Sequence, residues 1–309
     1  MNLKNSLTFL TGLYVAVLVW WLSIYLSGSR EGLMINIFGL FWTVASLLFS
    51  LLNVYFCIRN NKYRPSDKLN LGLLIVNLGL FIWNLGNTSW VLLGIFLKID
   101  IPFPSVADSM FLLSYSFYIV GYFSILISNN SRSSARGTFS FLKVMLLILI
   151  VFSICVVPLV LVRSDLLLLR FCLNLLYVSL DVITLSLFIS LCIFVLLKKK
   201  FNRDAFGAHF IVLLLSVVFE LIADVGFFIG TSENSYMNGG VVDLFFLSYS
   251  LVKNIGSLLF LRSIAPPSLQ GTAAYGPNFL IQLPYLKQVS LNMKKLPHLI
   301  YKLFNTDKV

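Results

Sequence analysis

"PFPSVADSMFLLSYSFYIVGYF", residues 102–123, and "GGVVDLFFLSYSLVKNIGSLLF", residues 239–260, follow one pattern. Each contains a small residue, two apolar residues, an Asp and then Phe-x-Leu-Ser-Tyr-Ser, with one residue gained or lost after the acid. Both segments are apolar enough to enter a membrane and long enough to cross it as a helix. The repeated pattern predicts a membrane protein built by internal duplication.

The composition of the whole chain also indicates a membrane environment. The chain has 309 residues, of which 59% are hydrophobic and 11% are charged, and its mean hydropathy is +0.92. Soluble domains are typically about half apolar and about a quarter charged. This excess of apolar residues excludes a soluble globular protein and predicts an all-α integral membrane protein.

Eight apolar stretches are long enough to cross the roughly 30 Å hydrocarbon core as helices. The predicted spans are 6–27, 34–57, 71–97, 106–127, 139–162, 170–197, 207–230 and 240–262. The first is read as an uncleaved anchor because its apolar run is long and a poor cleavage sequence follows it.

The basic residues are distributed unevenly between the two sides of the predicted spans. Lys and Arg concentrate in the N-terminus and in the loops after the second, fourth and sixth spans. The positive-inside rule therefore predicts a multi-pass protein of the plasma membrane with both termini in the cytoplasm. The net charge of +11 follows largely from this bias and from the tail, so it does not indicate a nucleic-acid partner.

The two copies of the motif divide the chain into two four-helix units, residues 1–130 and residues 131–262. An even number of spans per unit makes the two repeats parallel.

Residues 263–309 form a basic tail, for which the sequence leaves two alternatives. It forms short amphipathic helices on the inner leaflet, or it is partly disordered.

The polar residues of the motif have separate expected roles. Asp108 and Asp243 stand near predicted helix N-termini, after Ser105 and Gly240, and are helix-cap acids. The Ser-Tyr-Ser lies about two turns deeper, where it serves either helix contact or a ligand cavity. Neutral asparagines of the third span stand where the seventh span has acids. The candidate ligand-binding residues are Ser114, Tyr115, Ser248, Tyr249, Asn84 and Asn87.

Four ionisable residues fall inside predicted spans, where charges are rare and are functional candidates. They are Asp181, Glu220, Asp224 and Lys253. Counting residues places Asp224 nearer the outer surface than the other three. A buried Lys253 needs a carboxylate partner, which is either Glu220 or Asp181. The cluster is either a static salt-bridged network or a proton- or cation-responsive site.

The stretch "PFPSVADSMFLLSYSFYIVGY" resembles the signature P-S-x-A-D-x-x-[YF]-L-x-x-Y of multi-helix membrane input regions in bacterial and archaeal signalling proteins. In that family such regions commonly precede diguanylate cyclase, phosphodiesterase, histidine kinase or PAS modules. The matching residues are Pro104, Ser105, Ala107, Asp108, Phe111, Leu112 and Tyr115, and the second copy keeps Asp243, Phe246, Leu247 and Tyr249. The resemblance implies a sensory role. No such output sequence follows residue 262, so a separate signalling partner is expected.

Three functions are compatible with these features. The first is a sensory or regulatory module that binds a lipid-like or small apolar ligand between the repeats. The second is a small proton- or ion-coupled transporter that uses the buried acids and Lys253, and the third is an accessory subunit of a larger membrane complex. No catalytic motif, metal site or cofactor is predicted, and the four cysteines are expected to be free thiols.

Overall fold

The computed structural model describes residues 3–28, 32–61, 68–97, 105–130, 168–197, 203–233, 235–236 and 239–264. These residues form seven helices. The helices are α1 (Leu3–Ser27), α2 (Leu33–Asn61), α3 (Lys68–Leu97), α4 (Val106–Asn130), α5 (Leu168–Leu197), α6 (Arg203–Ser232) and α7 (Val241–Ile264).

All seven described helices are long and apolar enough to cross a membrane, so the chain is a multi-pass helical membrane protein. They coincide with seven of the predicted spans. The predicted span at 139–162 lies outside the described residues, as does almost all of the tail after residue 262. Large apolar side chains such as Leu26, Val19 and Leu33 are exposed on the bundle surface, where a bilayer would cover them.

The most extensive contact among the described helices joins α3 and α4, and glycines explain it. Gly72, Gly79 and Gly86 recur every seventh residue of α3 and face α4. A Cβ added at Gly72 would lie 2.9 Å from the carbonyl oxygen of Gly121 on α4. Small residues allow two helix backbones to approach closely, which is a main source of helix association inside a bilayer.

The last helix, α7, is the most buried of the seven and contacts α1, α2, α3 and α6. Polar side chains fix its position. Asn254 on α7 accepts a 2.8 Å hydrogen bond from Asn53 on α2. The Tyr14 hydroxyl on α1 donates to Ser248 across 3.1 Å. Helix α1 contacts α7 more extensively than it contacts α2, so the first helix packs mainly against the last.

Candidate ligand pocket and buried charge cluster

The first motif acid, Asp108, is the third residue of α4. Its Oδ2 accepts the backbone N–H of Ser105 across 2.5 Å. Its Oδ1 accepts the hydroxyl of Tyr177 on α5 across 2.8 Å. One carboxylate therefore holds the start of α4 and ties that helix to α5.

The second motif acid, Asp243, is the third residue of α7 and has an equivalent pair of donors. Its Oδ2 accepts the backbone N–H of Gly239 across 2.5 Å, and its Oδ1 accepts the hydroxyl of Tyr236 across 2.7 Å. The φ angle of Gly239 is 76°, a conformation that glycine adopts without strain. Burial and the Asp243 carboxylate raise the pKa of Tyr236 well above its usual value, so its hydroxyl keeps the proton that it donates.

A pocket of about 120 Å³ opens between these two helix starts. Its lining residues come from α2, α3, α4, α5, α6 and α7 and from the turn before α7. Three of them are the acids Asp108, Asp224 and Asp243, and no Lys, Arg or His is among the described residues that line it. The volume is that of a small organic molecule and is far more than one water molecule needs.

Aromatic residues make up ten of the twenty described residues that line the pocket. They include Trp42, Trp83 and Trp90. Phe111 and Phe246 also line the pocket, with ring centroids 5.8 and 6.2 Å from that of Trp83. Trp83 also packs edge-on against Tyr249, 4.4 Å between centroids. One indole thus contacts the ligand space and the layer beneath it.

Tyr115 of α4 lies at the floor of the pocket, where it joins two carboxyl groups. Its hydroxyl lies 2.5 Å from Oδ1 of Asp181 on α5 and 2.8 Å from Oδ2 of Asp224 on α6. A phenol has one hydrogen, so it cannot donate fully to both acids. Oδ2 of Asp181 has no hydrogen-bond partner among the described residues. The floor is therefore rich in acceptors and poor in donors.

Lys253 of α7 belongs to the next layer and is fully buried. Its Nζ donates to the Tyr249 hydroxyl across 2.7 Å and lies 3.2 Å from the centroid of the Tyr118 ring. The Glu220 carboxylate on α6 is 3.9 Å away, within ion-pair range but too long for a hydrogen bond. The Tyr249 hydroxyl in turn donates to that of Tyr118 across 2.8 Å.

The closest contacts within the buried cluster join its four charged residues in two pairs. Asp181 and Asp224 share the Tyr115 hydroxyl, and Glu220 lies beside Lys253. Of the two partners considered for Lys253, Glu220 is the one within ion-pair distance.

Two of the six candidate ligand-binding residues line the pocket, and the other four do not. Tyr115 and Asn87 line the pocket. Tyr249 lies in the Lys253 layer and Ser248 contacts α1. The remaining two are not among the described lining residues. The Ser114 hydroxyl donates to the carbonyl of Phe111, and Asn84 accepts the Ser250 hydroxyl across 2.6 Å.

Sequence reasoning missed several residues of the wall, notably Trp42, Tyr177 and Tyr236. Tyr177 and Tyr236 lie outside the repeated motif and reach it only through the fold. Among the described residues, no group of three or more His, Cys, Asp or Glu side chains could hold a metal ion. Three cysteines, Cys57, Cys172 and Cys192, are free.

No protein-family model, curated protein or solved structure matches the chain. The class of protein is therefore defined by its own features, a multi-pass helical membrane bundle with an acidic, aromatic pocket at one end.

Proposed function

We propose that the chain is a membrane-embedded sensory module that recognises a small ligand in this pocket and acts on a separate signalling partner. The pocket carries the proposal because six helices meet there. A ligand that contacts them all favours whichever helix arrangement gives the best contacts, and that preference is what shifts a two-state equilibrium. The pocket joins the two proposed parallel repeats and, with both termini in the cytoplasm, faces outward.

Two contacts offer routes by which occupancy of the pocket would reach deeper layers. Tyr115 links α4 to α5 and α6 through Asp181 and Asp224, so a ligand bound to Asp224 competes for that hydroxyl. Trp83 packs on Tyr249, which accepts a hydrogen bond from Lys253. Buried polar networks with alternative partners suit such switching, because a change at one member alters the bonds of the next.

Native mass spectrometry of the protein gently extracted from its own membrane tests this function. A bound small molecule together with a stoichiometric protein partner is the expected result. A partner without any ligand would support the accessory-subunit function instead. A bare monomer would contradict both.

A transporter is the second candidate, and the Glu220–Lys253 pair beneath the pocket floor favours it. Ionisable residues inside a membrane protein commonly mark substrate or ion pathways and proton relays. Its test is pH- or ion-dependent flux in proteoliposomes, which Glu220→Gln should abolish. Absence of flux in the wild type would remove this candidate.

A further inference from the structure

We propose that the pocket recognises a small organic cation, an amine or quaternary ammonium with a compact apolar body. The proposal rests on the proposed function and names the ligand class of the same pocket. It differs from the lipid-like or small apolar ligand expected from the sequence, because the lining combines carboxylates with aromatic rings.

The charge of the lining is the first argument. Asp108 and Asp243 are each held by neutral donors, a backbone N–H and a tyrosine hydroxyl, and by a helix N-terminus. These donors stabilise negative charge without cancelling it. Asp224 shares one hydroxyl with Asp181, and the described lining contains no basic side chain. A positively charged guest is the species that would balance this wall.

In the layer beneath the pocket, the protein already holds a cation with the same kinds of side chain that line the pocket. There the protein's own ammonium, Lys253 Nζ, lies 3.9 Å from Glu220 and over the rings of Tyr118 and Tyr249, at 3.2 and 4.5 Å from their centroids. A carboxylate and aromatic faces therefore hold a buried cation in this bundle. The pocket has the same components, with Trp42, Trp83 and Trp90 in addition, but its described lining contains no cationic side chain.

The wall distinguishes an organic cation from a metal ion. Hard metal ions need several oxygen ligands converging on one point. Among the described residues no such group is present. Aromatic faces do not supply those ligands, but they attract alkylammonium groups, and indole is the strongest such face. The 120 Å³ volume also suits a molecule of several heavy atoms.

The test uses two pairs of probes matched in shape, choline with 3,3-dimethylbutan-1-ol and benzylammonium with benzyl alcohol. Binding to the full chain is followed by titration calorimetry and tryptophan fluorescence in an uncharged maltoside detergent, so that no lipid amine competes. We expect at least one cation to bind roughly tenfold or more tighter than its neutral partner. Asp224→Asn should weaken that binding by a similar factor. Glu233→Gln, an exposed acid at the same end but outside the described lining, should not.

A second lining variant keeps the test decisive if Asp224→Asn does not fold. Trp90→Phe should also weaken cation binding, while Trp20→Phe, outside the described lining, should leave it unchanged. Equal binding of cation and neutral partner, or no binding of either cation, would overturn the proposal. Failure of this test leaves the proposed function standing. That function is contradicted only if native mass spectra of the extracted protein show no bound molecule.

Discussion

The hydroxyl of Tyr115 on α4 lies 2.5 Å from Oδ1 of Asp181 on α5, and the same oxygen lies 2.8 Å from Asp224 on α6. One tyrosine thus joins three helices at the floor of the pocket. This arrangement connects the two proposed repeats at the floor of the pocket, directly beneath a bound ligand.

Tyr115→Phe should destabilise the bundle, because it removes the hydroxyl that two buried carboxyl groups, those of Asp181 and Asp224, share. The expected loss is about 1–3 kcal/mol in the free energy of unfolding. Unfolding in mixed detergent micelles measures it. Tyr55→Phe, on the exposed face of α2, is the matched control and should change little. Equal stability of the two variants would mean that the bridge contributes nothing.

Lys253→Met should be severely destabilising, by about 3–5 kcal/mol, because it leaves the Glu220 carboxylate buried without its counter-charge. Adding Glu220→Gln should restore much of that loss, since neither residue is then charged. A double-mutant cycle on unfolding free energies measures the coupling. Additive effects of the two changes would show that they do not interact.

The helices could be predicted from the sequence because length and apolar composition alone determine which segments span a bilayer. The motif also located Asp108 and Asp243 at helix starts, since capping depends on neighbours along the chain. The rotation of each helix could not be predicted in this way. It depends on packing between helices, which is what brings Tyr115 of α4 against both Asp181 and Asp224.

The motif alignment shows the same limit. The Phe-x-Leu-Ser-Tyr-Ser pattern pairs Phe111 with Phe245, whereas the signature comparison pairs it with Phe246, and it is Phe246 that shares Trp83 with Phe111. Phe245 contacts Phe219 on α6 instead. The one-residue difference after the acid rotates the rest of the motif around α7, because each residue turns an α-helix by about 100°.

Gly72→Ala should weaken the α3–α4 pair, because its Cβ would lie 2.9 Å from a backbone oxygen that cannot move aside easily. Overpacking of this kind typically costs about 1–3 kcal/mol. Gly12→Ala is the control, since nothing lies within 4 Å of its Cβ position on α1. Melting temperatures of the two variants in one detergent provide the comparison. A larger loss for Gly12→Ala would contradict this packing.

Tyr236 should make the stability of the protein depend on pH in the alkaline range. Its folded pKa is raised, so the unfolded chain loses the proton first, above about pH 10. Stability should therefore fall as pH rises through that range, and less steeply in Tyr236→Phe. The slope of melting temperature against pH is the readout. Parallel slopes for wild type and variant would contradict the expected protonation.

The central claim is that a ligand occupies the pocket lined by helices α2 to α7. It is tested most directly by filling that pocket with a larger side chain. Gly39 lines it, whereas Gly12 is exposed on α1. Native mass spectra of Gly39→Phe and Gly12→Phe, each extracted from its own membrane, should be compared with the wild type. We expect the bound mass to persist in Gly12→Phe and to be lost in Gly39→Phe. Retention of the same mass by a folded Gly39→Phe would contradict the claim.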